Sequence, residues 1–198
     1  MRRAVFIDRD GVICRNHRDH VKSWDEFVFL PRARPALARL AESDLALVIV
    51  TNQAVINRGI TSADTVEDIN RRMTQAVRAA GGRIDALFYC PHRPDEQCGC
   101  RKPQPGMLLR AARELDIDLR HSYLIGDAWS DMLAGQAVGC RCYMVLTGRG
   151  WRQFLSCLRK GHRGFHPAWS LWDAACNILV EERATDLLLR GFSPTLTR

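Results

Sequence analysis

Short apolar runs alternate with longer amphipathic segments through the first three quarters of the chain. The apolar runs predict buried strands over residues 4–7, 46–50, 86–89, 123–125 and 142–145. The segments between them have apolar residues at helical spacing, at about 33–42, 62–80, 105–115 and 130–137. A strand–helix–strand repeat places successive strands parallel, so we expect an α/β fold: a three-layer, Rossmann-like parallel sheet with helices on both faces.

The chain length suits one domain, which we expect over residues 1–185, followed by a flexible tail over 186–198. Residues 170–183 are predicted to form its closing helix, and 147–168 a basic, irregular loop or loosely packed helix. No Asp or Glu occurs from Met132 to Trp172, where six cations lie: Arg141, Arg149, Arg152, Arg159, Lys160 and Arg163. Such a bias attracts nucleic acid or small phosphorylated anions, or simply keeps a surface solvated.

Composition excludes several classes of protein. Apolar residues make up 46% and charged residues 26%, as in folded globular proteins. No run approaches the ~20 apolar residues of a membrane span, and the opening "MRRAVFIDRD" lacks a signal-peptide core. We therefore expect a cytoplasmic protein with no membrane partner. We also expect a monomer.

Two carboxylates follow the first predicted strand in the stretch "VFIDRDGVI". Strand alternation directs Asp8 and Asp10 to the same side, where they repel each other unless one is protonated or a cation lies between them. A simple Asp-Gly turn is the structural alternative. Polar residues also follow two other strands, in "TNQ" (51–53) and "GDAWSD" (126–131). Because ligands bind beyond the carboxyl ends of parallel strands, this recurrence predicts one shared site.

A second cluster lies in "CPHRPDEQCGCRKP". Its three thiols and one imidazole form the ligand set of a closed, structural Zn²⁺ site: Cys90, His92, Cys98 and Cys100. The spacings are tighter than those of a DNA-reading finger. Buried free thiols and a Cys98–Cys100 redox pair are the alternatives, and neither accounts for His92. Zinc here would hold the loop that leads into Arg101 and Lys102.

The strand-end motifs resemble those of the haloacid dehalogenase (HAD) superfamily of phosphatases. "DRDGVI", "VTN", the lysine of "RKPQPGM" and "GDAWSD" match its four motifs in order. The resemblance implies that Asp8 is a nucleophile that forms an aspartyl-phosphate. It also implies a catalytic Mg²⁺ held by Asp8, the backbone carbonyl of Asp10 and Asp127, with Asp10 as general acid and then general base.

The remaining motif residues take supporting roles in that resemblance. Thr51 and Asn52 would donate hydrogen bonds to phosphoryl oxygens, and Lys102 would stabilise the transferring group electrostatically. Asp131 would support Lys102 or a Mg²⁺-bound water.

The C-x-H…C-x-C loop narrows the resemblance to a group of the superfamily with a minimal cap, that is, without a large insertion after the first or second motif. That group contains D-glycero-D-manno-heptose 1,7-bisphosphate 7-phosphatases and histidinol-phosphate phosphatases. It implies hydrolysis of a phosphate monoester on a small phosphorylated sugar, with histidinol phosphate or another metabolite as alternatives. Gln53 and Arg101 would contact substrate, as would the loop after the first motif, whose candidates are Arg15, Asn16, His17 and Arg18. Ala128 stands where the heptose enzymes often have Lys, which puts heptose specificity in question.

Two other functions use the same features. A zinc-stapled nucleic-acid-binding protein would use the basic segment, and a phospho-receiver or inactive binding module would share the acidic cluster. The phosphatase interpretation instead predicts a small phosphorylated metabolite as the partner, and no nucleic acid.

Overall fold

Six parallel strands form one sheet in this computed structural model, which describes residues 1–17 and 19–191. The strands are β1 Ala4–Ile7, β2 Ala46–Asn52, β3 Ala86–Cys90, β4 Tyr123–Gly126, β5 Arg141–Val145 and β6 His166–Ala168. Their order is β3-β2-β1-β4-β5-β6, with Phe6 in register with Val48 on one side and Leu124 on the other. The strand order reverses direction at β1, so the carboxyl end of β1 is the switch point where such sheets bind ligands.

In the described part of the chain, six α-helices cover both faces of the sheet. They are α1 Ala33–Ala41, α2 Ala63–Ala79, α3 Gly106–Leu115, α4 Trp129–Gln136, α5 Gly150–Arg159 and α6 Leu171–Gly191. Short 3-10 turns lie at Trp24–Glu26, Pro94–Glu96 and Leu119–His121. Helices α1, α2 and α6 pack on one face and α3, α4 and α5 on the other. The predicted three-layer α/β fold is confirmed.

Strand β1 shows why the central strands are continuously apolar. Val5 and Ile7 belong to one core and Ala4 and Phe6 to the other, and all four are fully buried. Alternating side chains reach opposite faces, so a strand with helices on both sides must be apolar at every position.

Helix α2 begins where its sequence predicts. Ser62 has extended backbone, and its side chain accepts a hydrogen bond from the N–H of Thr65. Ser62 is therefore the N-cap of this helix.

The prediction of an irregular loop over residues 147–168 is wrong, whereas its alternative, a helix, holds for part of the segment. These residues contain helix α5, which buries Cys157 and part of Phe154 against the second core, and strand β6. The strand has only three residues and includes Pro167, which the sheet tolerates because β6 lies at its edge. A strand so short, with a proline in it, has no recognisable apolar run.

The end of the chain also differs from the expectation. Helix α6 runs over Leu171–Gly191, so the tail predicted from residue 186 is helical as far as Gly191. Residues 192–198 lie outside the described part. No helix among the described residues is both long and apolar enough to cross a membrane. Residues 8–32, between β1 and α1, carry one 3-10 turn in their described part, in agreement with a minimal cap.

Candidate active site

A cavity of about 680 Å³ opens where strands β1, β2 and β4 end. The predicted site residues that line it are Asp8, Asp10, Asn16, His17, Thr51, Asn52, Arg101, Lys102 and Asp131. The sheet therefore brings together side chains from four separate motifs. The lining also includes His20, Arg149 and Arg152.

Lys102 is the centre of the buried charge network. Its Nζ lies 2.7 Å from Asp8 Oδ1 and 2.6 Å from Asp131 Oδ1, and it donates to the carbonyl of Val50 at 2.7 Å. Burial alone would lower the pKa of Lys102, but the charges of Asp131 and Asp8 outweigh it and raise the pKa above its usual value. Lys102 is therefore a permanent cation with three oxygen partners.

Asp8 has an excess of negative charge around it. Burial raises the pKa of its carboxyl to about 7, Lys102 opposes that rise, and Asp131, Asp127 and Asp10 add to it. Burial and the three neighbouring carboxyl groups together outweigh the one lysine that contacts Asp8. A further cation at this position would favour the ionised carboxylate.

The donor set fits a hard divalent ion. Carboxylate oxygens of Asp8, Asp127 and Asp131 all lie within 4.8 Å of one another, and Mg²⁺ prefers oxygen ligands together with several waters. The structure thus brings Asp131 to the group predicted from Asp8 and Asp127. Gly11 leaves the space that the Asp127 carboxylate occupies, because a Cβ at this position would lie 2.1 Å from Asp127 Oδ2.

Gly11→Ala is expected to disrupt this group. Gly11 has φ +96°, where a side chain is strained, and its added Cβ must also displace Asp127. We expect a destabilisation of about 1–3 kcal/mol and a loss of Mg²⁺ affinity, measured by urea unfolding and calorimetric titration. Gly59→Ala is the matched control because Gly59 has φ +67° with nothing within 4 Å of its Cβ. Equal effects on Mg²⁺ binding in both variants would contradict the assignment.

Asp10 is oriented by neighbours on both sides. Arg9, which is fully buried, contacts it through Nη2 at 3.0 Å, and Gln53 Nε2 donates to its Oδ2 at 2.7 Å. Burial alone would raise the pKa of Asp10, but the Arg9 charge and these hydrogen bonds lower it. Arg9 is in turn held by Asn70 Oδ1 at 2.9 Å. Sequence reasoning missed Arg9, although its place between the two aspartates was a signal.

Gln53 is deeper than its predicted contact with substrate suggests. It is 2% exposed, and its Nε2 also donates to Thr51 Oγ1 at 2.8 Å. Accepting this bond leaves the Thr51 hydroxyl free to donate its own proton into the cavity.

Asn52 ties the third motif to the second. Its Nδ2 donates to the carbonyl of Lys102, and its Oδ1 accepts from the Lys102 N–H, both at 3.1 Å. The paired bonds position Lys102 across the cavity floor.

The structure also places Ala128 and the predicted loop residues. Ala128 is buried, and its N–H donates to Asp131 Oδ2 at 3.0 Å. Among the loop candidates, Asn16 and His17 border the cavity, Arg15 is not in the lining, and Arg18 lies outside the described residues.

Arg149 is the main functional candidate that the sequence did not indicate. It follows β5, and its N–H donates to Asp127 Oδ2 at 2.8 Å while its Nη2 lies 3.1 Å from Asp127 Oδ1. The signal was its position: "TGR" follows the fifth strand, at the same edge of the sheet as the other motifs.

The predicted zinc ligands form a compact group beside this site. Their Sγ atoms are 3.2–3.5 Å apart, and His92 Nδ1 lies 3.5 Å from Cys90 Sγ and 3.2 Å from Cys100 Sγ. Four ligands around Zn²⁺ at about 2.3 Å form a tetrahedron with edges of about 3.8 Å, so these distances need little adjustment. Burial alone would raise the pKa of Cys98, but hydrogen bonds involving Cys100 and Arg101 lower it to about 7, which favours the thiolate.

The zinc group connects directly to the cavity. Arg101 Nη1 donates to the carbonyl of His92 at 3.0 Å, and the N–H of Gly106 donates to the carbonyl of Gly99 at 3.0 Å. Along the chain, these bonds hold residue 101, just before Lys102, and residue 106, shortly after it. A metal that fixes residues 90–100 therefore also fixes the start of the third motif.

Comparisons with known proteins agree with this geometry. The HAD-hydrolase-like family model matches residues 99–174. The D-glycero-β-D-manno-heptose-1,7-bisphosphate 7-phosphatase of Bordetella bronchiseptica is 40% identical over 148 residues, 75% of this chain and 83% of that protein. The corresponding enzyme of Photorhabdus laumondii is 43% identical over 155 residues, 74% of this chain and 81% of its own.

Solved structures give the same result. The crystal structure of D,D-heptose 1,7-bisphosphate phosphatase from B. bronchiseptica, complexed with magnesium and phosphate, has a TM-score of 0.84 and 37% identity. The match covers 90% of this chain and 99% of the B. bronchiseptica chain. The Burkholderia thailandensis enzyme has a TM-score of 0.68 and 33% identity over 90% of this chain and 99% of its own.

The chain belongs to the HAD-like phosphatases. It is a hydrolase of phosphate monoesters, and the predicted membership of the HAD superfamily is confirmed. This outcome disfavours both the phospho-receiver and the nucleic-acid-binding hypotheses.

Loss of zinc is expected to lower both the stability and the activity of this HAD-like phosphatase, because residues 90–102 lose their support. Cys100→Ser should lose the bound metal and about 3 kcal/mol of stability, a fall in Tm of about 6–12 °C. Activity should fall about tenfold because Arg101 and Lys102 lose their support. Metal content by mass spectrometry, a melting curve and phosphate release measure the three effects. Cys176→Ser is the control because Cys176 lies outside the cluster. If the unmodified chain contains no zinc after purification, the site is refuted.

Proposed function

We propose that this chain removes the 7-phosphate of D-glycero-β-D-manno-heptose 1,7-bisphosphate, with Mg²⁺ as catalytic ion and Zn²⁺ as structural ion. The observation that carries the hydrolysis is the buried Asp8 carboxylate, which borders the cavity and is held by Lys102 beside Asp127 and Asp131. The heptose assignment is supported by relatives that bear this name at 40–43% identity.

Asp8 is the nucleophile in this proposal. When bound, Mg²⁺ offsets the repulsion between the carboxylate and the phosphate dianion. Asp8, the carbonyl of Asp10, and Asp127 would hold the ion, with Asp131 close by. A carboxylate oxygen of Asp8 forms a bond to phosphorus while the bond from phosphorus to the sugar oxygen breaks, which leaves an aspartyl-phosphate.

Asp10 moves the protons. It donates one to the leaving sugar oxygen and then takes one from the water that attacks the aspartyl-phosphate, which releases phosphate and restores Asp8. The Arg9 charge and the Gln53 amide lower its pKa before substrate binds. A phosphate dianion nearby raises that pKa, so substrate binding favours the acid form that the first step needs.

The other cavity residues bind and orient the phosphoryl group. Lys102 places a permanent positive charge beside Asp8, and the Thr51 hydroxyl is free to donate to a phosphoryl oxygen. Asn52 uses its side chain to hold Lys102 and so positions that cation for the phosphoryl group. Asn16 and Arg101 border the cavity and are placed for the sugar and its second phosphate.

A phosphate-release screen tests the proposal. The β-anomer of heptose 1,7-bisphosphate, its α-anomer, fructose 1,6-bisphosphate and histidinol phosphate are compared with and without added Mg²⁺. We expect Mg²⁺-dependent turnover with the β-heptose bisphosphate preferred at least tenfold. A preference for histidinol phosphate would mean that this ester, and not the heptose bisphosphate, is the substrate. No turnover on any ester would refute the function. We also expect a cytoplasmic monomer, for which gel filtration at 22.5 kDa is the measurement of size.

A further inference from the structure

Arg149 contacts Asp127, yet the proposed mechanism does not use it. Its backbone N–H donates to Asp127 Oδ2 at 2.8 Å, and its Nη2 lies 3.1 Å from Asp127 Oδ1. The Asp127 side chain is fully buried, whereas that of Arg149 is 56% exposed. The Arg149 Nε also donates to Asp127 Oδ2, at 3.5 Å. Both oxygens of a proposed Mg²⁺ ligand are therefore already hydrogen-bonded to one residue, and each accepts a bond from its charged guanidinium.

The contact acts differently in the two states of the site. Without a divalent ion, the guanidinium offsets the charge of a carboxylate that burial penalises: burial raises the pKa of Asp127, and Arg149 opposes that rise. Beside a bound divalent ion, the same guanidinium is a like charge and a competitor for the same oxygens. A side chain that stabilises the metal-free state more than the loaded state must weaken the binding of the ion.

The structure also allows the guanidinium to leave. Arg149 borders the open cavity, so its side chain can move away from Asp127 without disturbing the core. The bond from the N–H of residue 149 to Asp127 does not depend on the Arg149 side chain, and Gly148 packs so closely that an added Cβ there would lie 2.4 Å from Asp127 Oδ2. Substituting Arg149 therefore removes the charged competitor and keeps the carboxylate oriented.

We propose that the Arg149 side chain competes with Mg²⁺ for Asp127 and so sets the Mg²⁺ concentration at which the enzyme is loaded. This inference rests on the proposed function in one respect, that Asp127 is a ligand of the ion. Arg149 is a positioning residue for that ligand.

Calorimetric titration with Mg²⁺ alone tests the competition. The protein is dialysed against metal-free buffer without chelator, so that its zinc is retained. We expect Arg149→Gln to bind Mg²⁺ about three- to tenfold more tightly than the unmodified chain. The matched control is Arg152→Gln, expected within about twofold: Arg152 lines the same cavity with the same charge, and no ion pair joins it to Asp127 in the described residues.

Thermal melting supplies a second readout. Metal-free Arg149→Gln should melt below the unmodified chain because Asp127 loses its cation, and saturating Mg²⁺ should remove the difference. Equal or weaker Mg²⁺ binding in Arg149→Gln overturns the inference alone. No Mg²⁺ binding by the unmodified chain overturns the proposed function as well. If Arg149→Gln does not fold, Arg149→Lys replaces it: with a shorter stem and a single point charge, it should bind Mg²⁺ more tightly than the unmodified chain, and equal or weaker binding overturns the inference.

Discussion

Asp8→Asn is expected to lower kcat by about 10⁴-fold or more at saturating Mg²⁺. An amide is a poor nucleophile, so the aspartyl-phosphate cannot form, whereas the side-chain volume is unchanged. The Asn oxygen can still accept from Lys102 Nζ, whose distance to Asp8 Oδ1 is 2.7 Å. The fold should therefore survive. Single-turnover phosphate release measures the loss, and circular dichroism checks the fold.

A matched control separates the chemistry from the loss of charge. Asp44→Asn makes the same substitution at an exposed residue outside the cavity, so its kcat should stay within about twofold of the unmodified chain. Trapping with labelled phosphate ester should label the unmodified chain at Asp8 and leave the Asp8→Asn variant unlabelled. Residual turnover above about 1% in Asp8→Asn would refute the nucleophile assignment.

Lys102→Met is expected to remove both activity and stability. Met has a similar length and no charge, so Asp8 and Asp131 remain buried without the cation that lies 2.7 and 2.6 Å from them. Breaking a buried ion pair from one side costs about 3–5 kcal/mol. We also expect kcat to fall about 10³-fold because the transferring phosphoryl group loses its nearest fixed positive charge.

The destabilisation should depend on pH in a defined direction. Without Lys102, the folded-state pKa of Asp8, already about 7, rises further above its unfolded value of 3.8. A carboxyl whose pKa is raised by folding destabilises the protein most above its folded-state pKa; the penalty shrinks as pH falls below that value and is gone at the unfolded-state pKa. In metal-free buffer, the deficit of Lys102→Met should thus be largest near pH 8 and shrink towards pH 5.

Urea unfolding of Lys102→Met at several pH values measures this trend. Lys160→Met is the control because Lys160 is exposed at the end of α5, and a single exposed charge should change stability by less than about 0.5 kcal/mol. A deficit that is flat from pH 5 to pH 8 would mean that Lys102 contributes by packing alone.

Much of the site was predictable because it follows strand ends. The apolar runs located β1, β2 and β4, and parallel strands end at one edge, so Asp8, Thr51 and Asp131 had to lie near one another. The zinc group was predictable for a different reason. Its four ligands lie within eleven residues, so a single loop suffices to bring them together.

Other contacts were not predictable because they depend on side chains far apart in the sequence. Lys102 reaches Asp8 across 94 residues, and Gln53 reaches Asp10 across 43. The motif assigned Gln53 to substrate, but the packing behind β2 turns its amide onto Asp10 and Thr51. Strand β6 was missed because it pairs through backbone hydrogen bonds at an edge and needs no apolar pattern.

The sequence by itself determined the class of fold, the edge of the sheet that carries the chemistry, and the thiols and imidazole suited to zinc. Each follows from local order: periodic burial, the residues after a strand, and ligands close along the chain. Only the tertiary structure decided which partner each charge has, including the contact of Arg149 with Asp127. Buried charges choose partners by distance and desolvation, and those quantities exist only once distant loops have packed against one another.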